Sequence, residues 1–565
     1  MKKKTLSTHP SLLTSMFPIL LIAACGILPS CQQLSMLPWA STGGNGGTPV
    51  RPGPGAGPDL ARSDGAGRRP SQGDSGPESQ PGAPVPAIPE RSAAHAGGTV
   101  IRIGTDAKHR ANSLVLGTNR NHVAEYFPNG PAKLAKLREL RPTWGDKRYL
   151  YRVGHGITDG RIEYDYMTGF FFEEVWGRKG GYPYDDIRHA LGEARELGAE
   201  QIHVVNFGTG SADQAARYAQ YLNDAGSPLR KQYPFEGEPV RRFEIGNEIS
   251  WTHARGHARF APDESTYARR AKEFATRMRA TSPVPIRIGA VATTNSNWLG
   301  DGWSGGARTV ENILKTMGDQ VDFLIFHGYP SWPLKKKGDL LTVMAQNAWN
   351  RRKLQDEIFP AIARHAAGRP VKVANTEFFT ELYNDPDVSR GMLGALYTAD
   401  TLATALDLDL EAAIQFCFEH GDMADSSFFR GNDPDRITPI FRVGRMLARH
   451  WGAEALPVDA SNLKAVHVKG DATAIDMPLL GLAAARDEAG RVYALVVNRT
   501  NKEAVTAHLE FGFKPANVLG HRLSGPDGWR TRPDDVREES TTQEPGKPVR
   551  FPAASVTILV AEPAR

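Results

Sequence analysis

The chain has 565 residues, 40% hydrophobic and 23% charged, with a formal net charge of +5. That length exceeds what one ordinary core sustains and predicts more than one domain. The ordinary composition excludes a fibrous chain. The small charge, with no basic patch interleaved with aromatics, excludes nucleic acid as a partner, and three cysteines (Cys25, Cys31 and Cys417) cannot build a disulfide framework.

The chain opens with Met1-Lys2-Lys3-Lys4, and residues 17–24 form an apolar run too short to span a bilayer. Together they predict a secretory signal over residues 1–24. Ile22-Ala23-Ala24-Cys25 resembles the lipobox of bacterial lipoproteins. That resemblance implies cleavage before Cys25, a lipid on its sulfur, and a membrane partner reached through that anchor. An ordinary signal with an incidental cysteine, and hence a secreted protein, is the alternative. Leu28-Pro29-Ser30-Cys31 is a poorer second candidate because proline sits inside it. Residue 26 is glycine, not the aspartate that resembles an inner-membrane retention signal, so the expected place is the bacterial cell envelope, at the outer membrane or cell surface. Residues 41–98 hold 14 glycines, 10 prolines and no aromatic residue. Such a segment buries too little apolar surface to offset its ordering entropy, so residues 25–98 read as a tether.

Eight β-like runs follow, at residues 113–117, 149–153, 201–206, 242–246, 286–291, 321–326, 371–375 and 412–418, most of them followed by helical patterns. Short apolar runs alternating with helices predict a parallel α/β sheet. Residues 185–197 carry apolar residues at helical spacing and stop at Gly198. Ser211-Ala212-Asp213-Gln214 reads as a capping box opening a helix over 215–222, and residues 263–280 read as another helix. Eight strands in this span suit a closed (β/α)8 barrel over 111–451. No GxGxxG turn follows the first strand, which argues against a dinucleotide fold. After residue 451 the pattern changes. Residues 482–486, 492–498, 507–511 and 555–561 alternate or run apolar between Gly, Pro and Asn, without comparable helices. Residues 452–565 are therefore expected to form an antiparallel β-sandwich, with residues 99–110 supplying a strand to it.

The runs end in polar groups, and strand ends at the carboxyl side are where barrel enzymes build their sites. The fourth run closes in Ile245-Gly246-Asn247-Glu248, followed by Trp251; the seventh closes in Asn375-Thr376-Glu377. Two carboxylates so placed are what glycosidic bond cleavage needs: a proton donor, and a nucleophile or base. Asn247 is a candidate partner for a sugar hydroxyl, and Trp251 for a sugar ring. Arg152 closes the second run and can fix a carboxylate by charge-assisted bonds; Asn206 closes the third. His327 and Tyr329, at the end of the sixth, are candidate donors to Glu377. Each residue has a bland reading as a surface or core group, but polar groups at several strand ends form one coherent mouth. No ligand spacing for zinc appears, and neither a metal nor a cofactor is expected.

Glu248 and Glu377, following runs four and seven, resemble the acid/base and nucleophile of the large clan of retaining glycosidases built on (β/α)8 barrels. Residues 205–216 are similar to the third-strand segment of family 51 α-L-arabinofuranosidases, and a C-terminal sandwich fits that family and family 39. The resemblance implies a carbohydrate substrate, double displacement, Glu248 as acid/base and Glu377 as nucleophile. The substrate is then arabinofuranosidase-like or xylosidase-like. The stretch after Arg152, Val153-Gly154-His155-Gly156, departs from the arabinofuranosidase pattern. A transglycosylase and a non-catalytic surface protein that binds polysaccharide through a degenerate barrel are the alternatives.

Overall fold

The computed structural model describes residues 97–564 except 121–129, 155–161, 166–169, 174–180, 184–186, 209, 251–259, 294–302, 332, 381, 383–384, 418–427 and 431–432. The signal, the tether as far as residue 96, Cys25 and Trp251 lie outside the described residues. No helix among the described residues is long and apolar enough to cross a membrane.

Eight parallel strands close into a barrel. In chain order, strands 1 to 8 are Gly117–Arg120, Leu150–Val153, Glu200–Val205, Arg242–Ile245, Arg287–Val291, Phe323–His327, Lys372–Phe378 and Ala412–Gln415. Each pairs with its sequence neighbours, and strand 8 closes on strand 1 through Ile414 opposite Gly117 and Gln415 opposite Thr118. At least one helix follows each strand, and two follow strands 3, 6 and 7; the first after strand 3, Ala212–Asn223, begins with the capping box. Ser211 Oγ accepts from the Gln214 backbone, and Gln214 returns its side-chain oxygen to the Ser211 N–H. Between strand 2 and its helix Ile187–Leu197, the segments Ile162–Asp165, Phe170–Glu173 and Gly181–Pro183 pair into a separate antiparallel sheet.

The first run differs from expectation. Ser113–Val115 is a 3-10 turn, and only Gly117 of that run belongs to strand 1. Asn112 caps the turn by accepting from the Leu114 N–H and ties it to strand 8 by donating to the Leu410 and Glu411 carbonyls. The strand itself is the polar stretch Gly117-Thr118-Asn119-Arg120, all buried. Asn119 faces the interior and Arg120 the helix layer, where it holds Glu193 at 2.6 Å.

The barrel interior is layered. Its lower part is filled by Leu114, Leu150, Ile202, Phe323, Ile325, Ala374, Ala412 and Ile414. Gly289 belongs to this layer because a Cβ there would meet the Phe323 ring at 2.2 Å. At the amino-terminal rim, Glu200 and Glu411 bridge Arg148, Arg242 and Arg287 and so stitch strands 2, 3, 4, 5 and 8 together.

The C-terminal region forms two facing sheets. One runs in the order Val458–Ser461, Thr99–Ile103, Val505–Phe511, Val549–Phe551. Thr99–Ile103 pairs antiparallel with the first and parallel with the second. The other sheet has seven strands, from His109–Arg110 at one edge to Arg537–Gln543 at the other. Ile101, Ile103, Val496, Ala507, Phe551 and Leu559 fill the space between them. The joint with the barrel is the helix Met392–Asp407, every residue of which is buried. An apolar helix without a polar face must be covered on all sides; this one lies between strand 8 and Leu480–Arg486. Its single mid-helix charge, Asp400, takes both forks of Arg499 at 2.6 and 2.9 Å.

Candidate active site

Strand 4 runs Arg242-Phe243-Glu244-Ile245, alternating sides. Phe243 and Ile245 join the outer core, and Glu244 points inward. The chain then turns sharply. Gly246 has φ +81°, and a Cβ there would lie 2.6 Å from Ile249 Cγ1. Glu248 has φ 51°, a conformation non-glycine residues adopt rarely, which brings its carboxylate back over the barrel mouth. It is 7% exposed.

Strand 7 reaches the same place by a bulge. Ala374 faces the interior, so strict alternation would send Asn375 outward, Thr376 inward and Glu377 outward. The register skips Thr376: Phe326 pairs with Asn375, and His327 pairs with Glu377. Parity reverses there, and Glu377 turns inward beside His327, as bulges next to active sites do.

The two glutamates meet around His327. Its Nδ1 lies 3.2 Å from Glu248 Oε1 and 3.4 Å from Glu377 Oε2. One oxygen of each carboxylate and one ring nitrogen of His327 lie within 4.8 Å of one another. Tyr329 donates its hydroxyl to Glu377 Oε2 at 2.5 Å, and its ring is held edge-on by Phe379 at 5.1 Å. Arg152 reaches from strand 2 and donates to Glu377 Oε1 at 2.7 Å. The same guanidinium donates to Asn247 Oδ1 at 2.8 Å, to Asn119 Oδ1 at 2.7 Å and to Glu244 Oε2 at 2.8 Å. Burial by itself would lower the Arg152 pKa; the carboxylates of Glu244 and Glu377 outweigh it and hold the guanidinium charged, above its ordinary value.

Six residues expected at the mouth (Arg152, Asn247, Glu248, His327, Tyr329 and Glu377) thus touch one another. Asn206 is buried directly after strand 3, at the same end of the barrel. Two members were missed. Asn119 lay beyond the boundary expected for strand 1; it donates to the Thr376 carbonyl at 2.9 Å and so links strand 1 to strand 7. Glu244 lies inside strand 4, whereas the sequence pattern points to Glu248 just beyond its end. Its signal was parity, since it shares the inward side with Arg152 two strands away. The donor set Glu248, His327 and Glu377 is compact enough to bridge a cation. However, a buried guanidinium already sits on Glu377 and opposes a second positive charge there.

No family model matches the chain, and no curated protein matches it either. Solved structures do. An α-L-arabinofuranosidase from Thermotoga maritima, in complex with arabinose, superposes with a TM-score of 0.66 at 18% identity, covering 82% of this chain and 99% of that one. This chain shares that protein's fold. A family 51 α-L-arabinofuranosidase from Bifidobacterium longum gives 0.66 at 15%, covering 83% and 99%. A family 44 endoglucanase from Clostridium thermocellum gives 0.51 at 12%, covering 83% and 100%. At these identities the likeness is one of fold: an eight-stranded parallel barrel with a β-sandwich.

Proposed function

We propose that the chain is a retaining glycoside hydrolase acting on oligo- or polysaccharides. The observation that carries this reading is the carboxylate pair, with oxygens of Glu248 and Glu377 within 4.8 Å across the mouth. Retaining enzymes hold their carboxyl groups about 5–5.5 Å apart, whereas inverting enzymes need roughly 6.5–9.5 Å to admit a water. Glu377, ionised by Arg152 and Tyr329, attacks the anomeric carbon. Glu248 protonates the leaving oxygen, then takes a proton from the water that releases the glycosyl-enzyme. His327, between the two carboxylates, orients both. Solved structures with this fold include arabinofuranosidases, an endoglucanase and a bifunctional glucanase-xylanase, which supports an arabinofuranoside or a xyloside as substrate.

The test is a panel of para-nitrophenyl glycosides and plant and bacterial polysaccharides given to residues 99–565, with the anomer of the first product read by proton NMR. Retention supports the reading, and inversion overturns the double displacement. Predominant transfer to an added alcohol at low acceptor concentration would favour a transglycosylase. We further propose that Cys25 carries a lipid that holds the enzyme on the cell envelope, on the strength of Ile22-Ala23-Ala24-Cys25. Labelled palmitate should enter the wild type and not Cys25→Ser.

A further inference from the structure

Arg152 is fully buried and spends its donors unequally. Its Nε faces both Glu244 oxygens, at 3.0 and 3.1 Å, and one terminal nitrogen binds Glu244 Oε2 at 2.8 Å. Only the other terminal nitrogen reaches Glu377, at 2.7 Å. Glu244 is 0% exposed and lies one layer below the mouth. One buried cation is therefore shared by two carboxylates, and the deeper one holds the forked side. A forked pair fixes the plane of a guanidinium, and here that plane decides which nitrogen faces Glu377.

We propose that Glu244 is a positioning residue that acts through Arg152 to set both the orientation of Glu377 and the share of positive charge it feels. The inference rests on the reading of Glu377 as nucleophile. A nucleophilic carboxylate must be ionised and still electron-rich. An undivided Arg152 charge would hold it ionised but blunt its attack on the anomeric carbon. Glu244 removes that excess by neutralising most of the guanidinium from below. The pair also explains why a full charge is tolerated beneath the barrel mouth, since a buried arginine without a forked partner is costly.

Glu244→Gln keeps the shape and removes the charge. In the 99–565 chain, assayed on para-nitrophenyl α-L-arabinofuranoside or para-nitrophenyl β-D-xylopyranoside, whichever the wild type turns over, kcat/KM should fall about tenfold or more. The acidic limb of its pH profile should move down by about one unit, because Glu377 loses a like-charged neighbour. Glu244→Asp keeps the charge and shifts the fork. Its acidic limb should stay in place while kcat/KM still falls. A folded Glu244→Gln with an unmoved limb, or a folded Glu244→Asp with wild-type kcat/KM, overturns the proposal. If neither variant folds, the role is structural and the proposal also falls. A wild type that turns over no glycoside is instead a failure of the hydrolase reading, so the two failures are distinct.

Discussion

The chemistry proposed for the two glutamates divides cleanly by leaving group. Glu377→Ala removes the nucleophile and should abolish turnover on every substrate. Glu248→Ala removes only the proton donor, so an activated aryl glycoside, whose leaving group needs little protonation, should keep its first step. A natural glycoside should lose several orders of magnitude. Equal loss on both substrate types would contradict the role split. Tyr329→Phe takes one donor from Glu377 and leaves the ring wedged against Phe379. We expect turnover to fall by about 10- to 100-fold with the melting temperature nearly unchanged; paired kinetics and calorimetry separate this from a packing defect.

At the scale of elements, the helix Met392–Asp407 is the hinge of the architecture. It seals strand 8 on one side and the sandwich on the other, and its interior carries the buried Asp400–Arg499 pair. Breaking one side of such a pair leaves an uncompensated buried charge and costs about 3–5 kcal/mol. Asp400→Ala should therefore lower stability far more than the double variant Asp400→Ala/Arg499→Met, as measured by denaturant titration. Glu248 and Glu377 both stay in place in either variant, so activity per folded molecule should hold.

The molecule as a whole behaves as one packed body from residue 99 onward. Thr99–Ile103 is a middle strand of the sandwich, and the hairpin Ala465–Lys469/Ala474–Pro478 reaches back to the loop after strand 6, where the Ala472 N–H donates to the Pro333 carbonyl at 2.9 Å. Deleting residues 452–565 should expose the apolar face of Met392–Asp407 and strip Thr99–Ile103 of both partners, and such surfaces associate. Light scattering of the 99–451 fragment should show aggregates; a monomeric, fully active fragment would refute the packing argument. Acid stability is also set at this scale. Burial pushes His203, on strand 3 against Tyr218 of the following helix, down to about 3. Burial, then His521 and Arg449, push His450, at the barrel–sandwich seam, down to about 4. In the unfolded chain both would titrate near the ordinary 6.5. The unfolded state then binds more protons than the native state below that value. Their contribution is complete above about pH 6.5 and lost as pH falls toward 4 and then 3. The melting temperature should drop across that window, and less steeply in His203→Gln and His450→Gln.

Hydrophobic run lengths, helix signals and the polar groups closing each run were enough to read a barrel and a following sandwich, and to put Glu248 and Glu377 at the ends of strands four and seven, because these are local patterns of burial and capping. The boundary of strand 1 was not legible locally. Residues 113–117 are as apolar as a strand, and only the Asn112 cap and the closure onto strand 8 turn them into a 3-10 segment. Nor could the sequence show why Glu377 faces the interior. Plain alternation from Ala374 points it outward, and the register skip against His327, a contact made between strands, turns it in. Glu244 and Asn119 acquire their roles in the same way. Parity puts Glu244 on the inward side of strand 4, but its partner and that of Asn119 appear only when the closed barrel brings both within hydrogen-bond reach of Arg152, because a charge that can be buried only when shared needs partners from several strands at once.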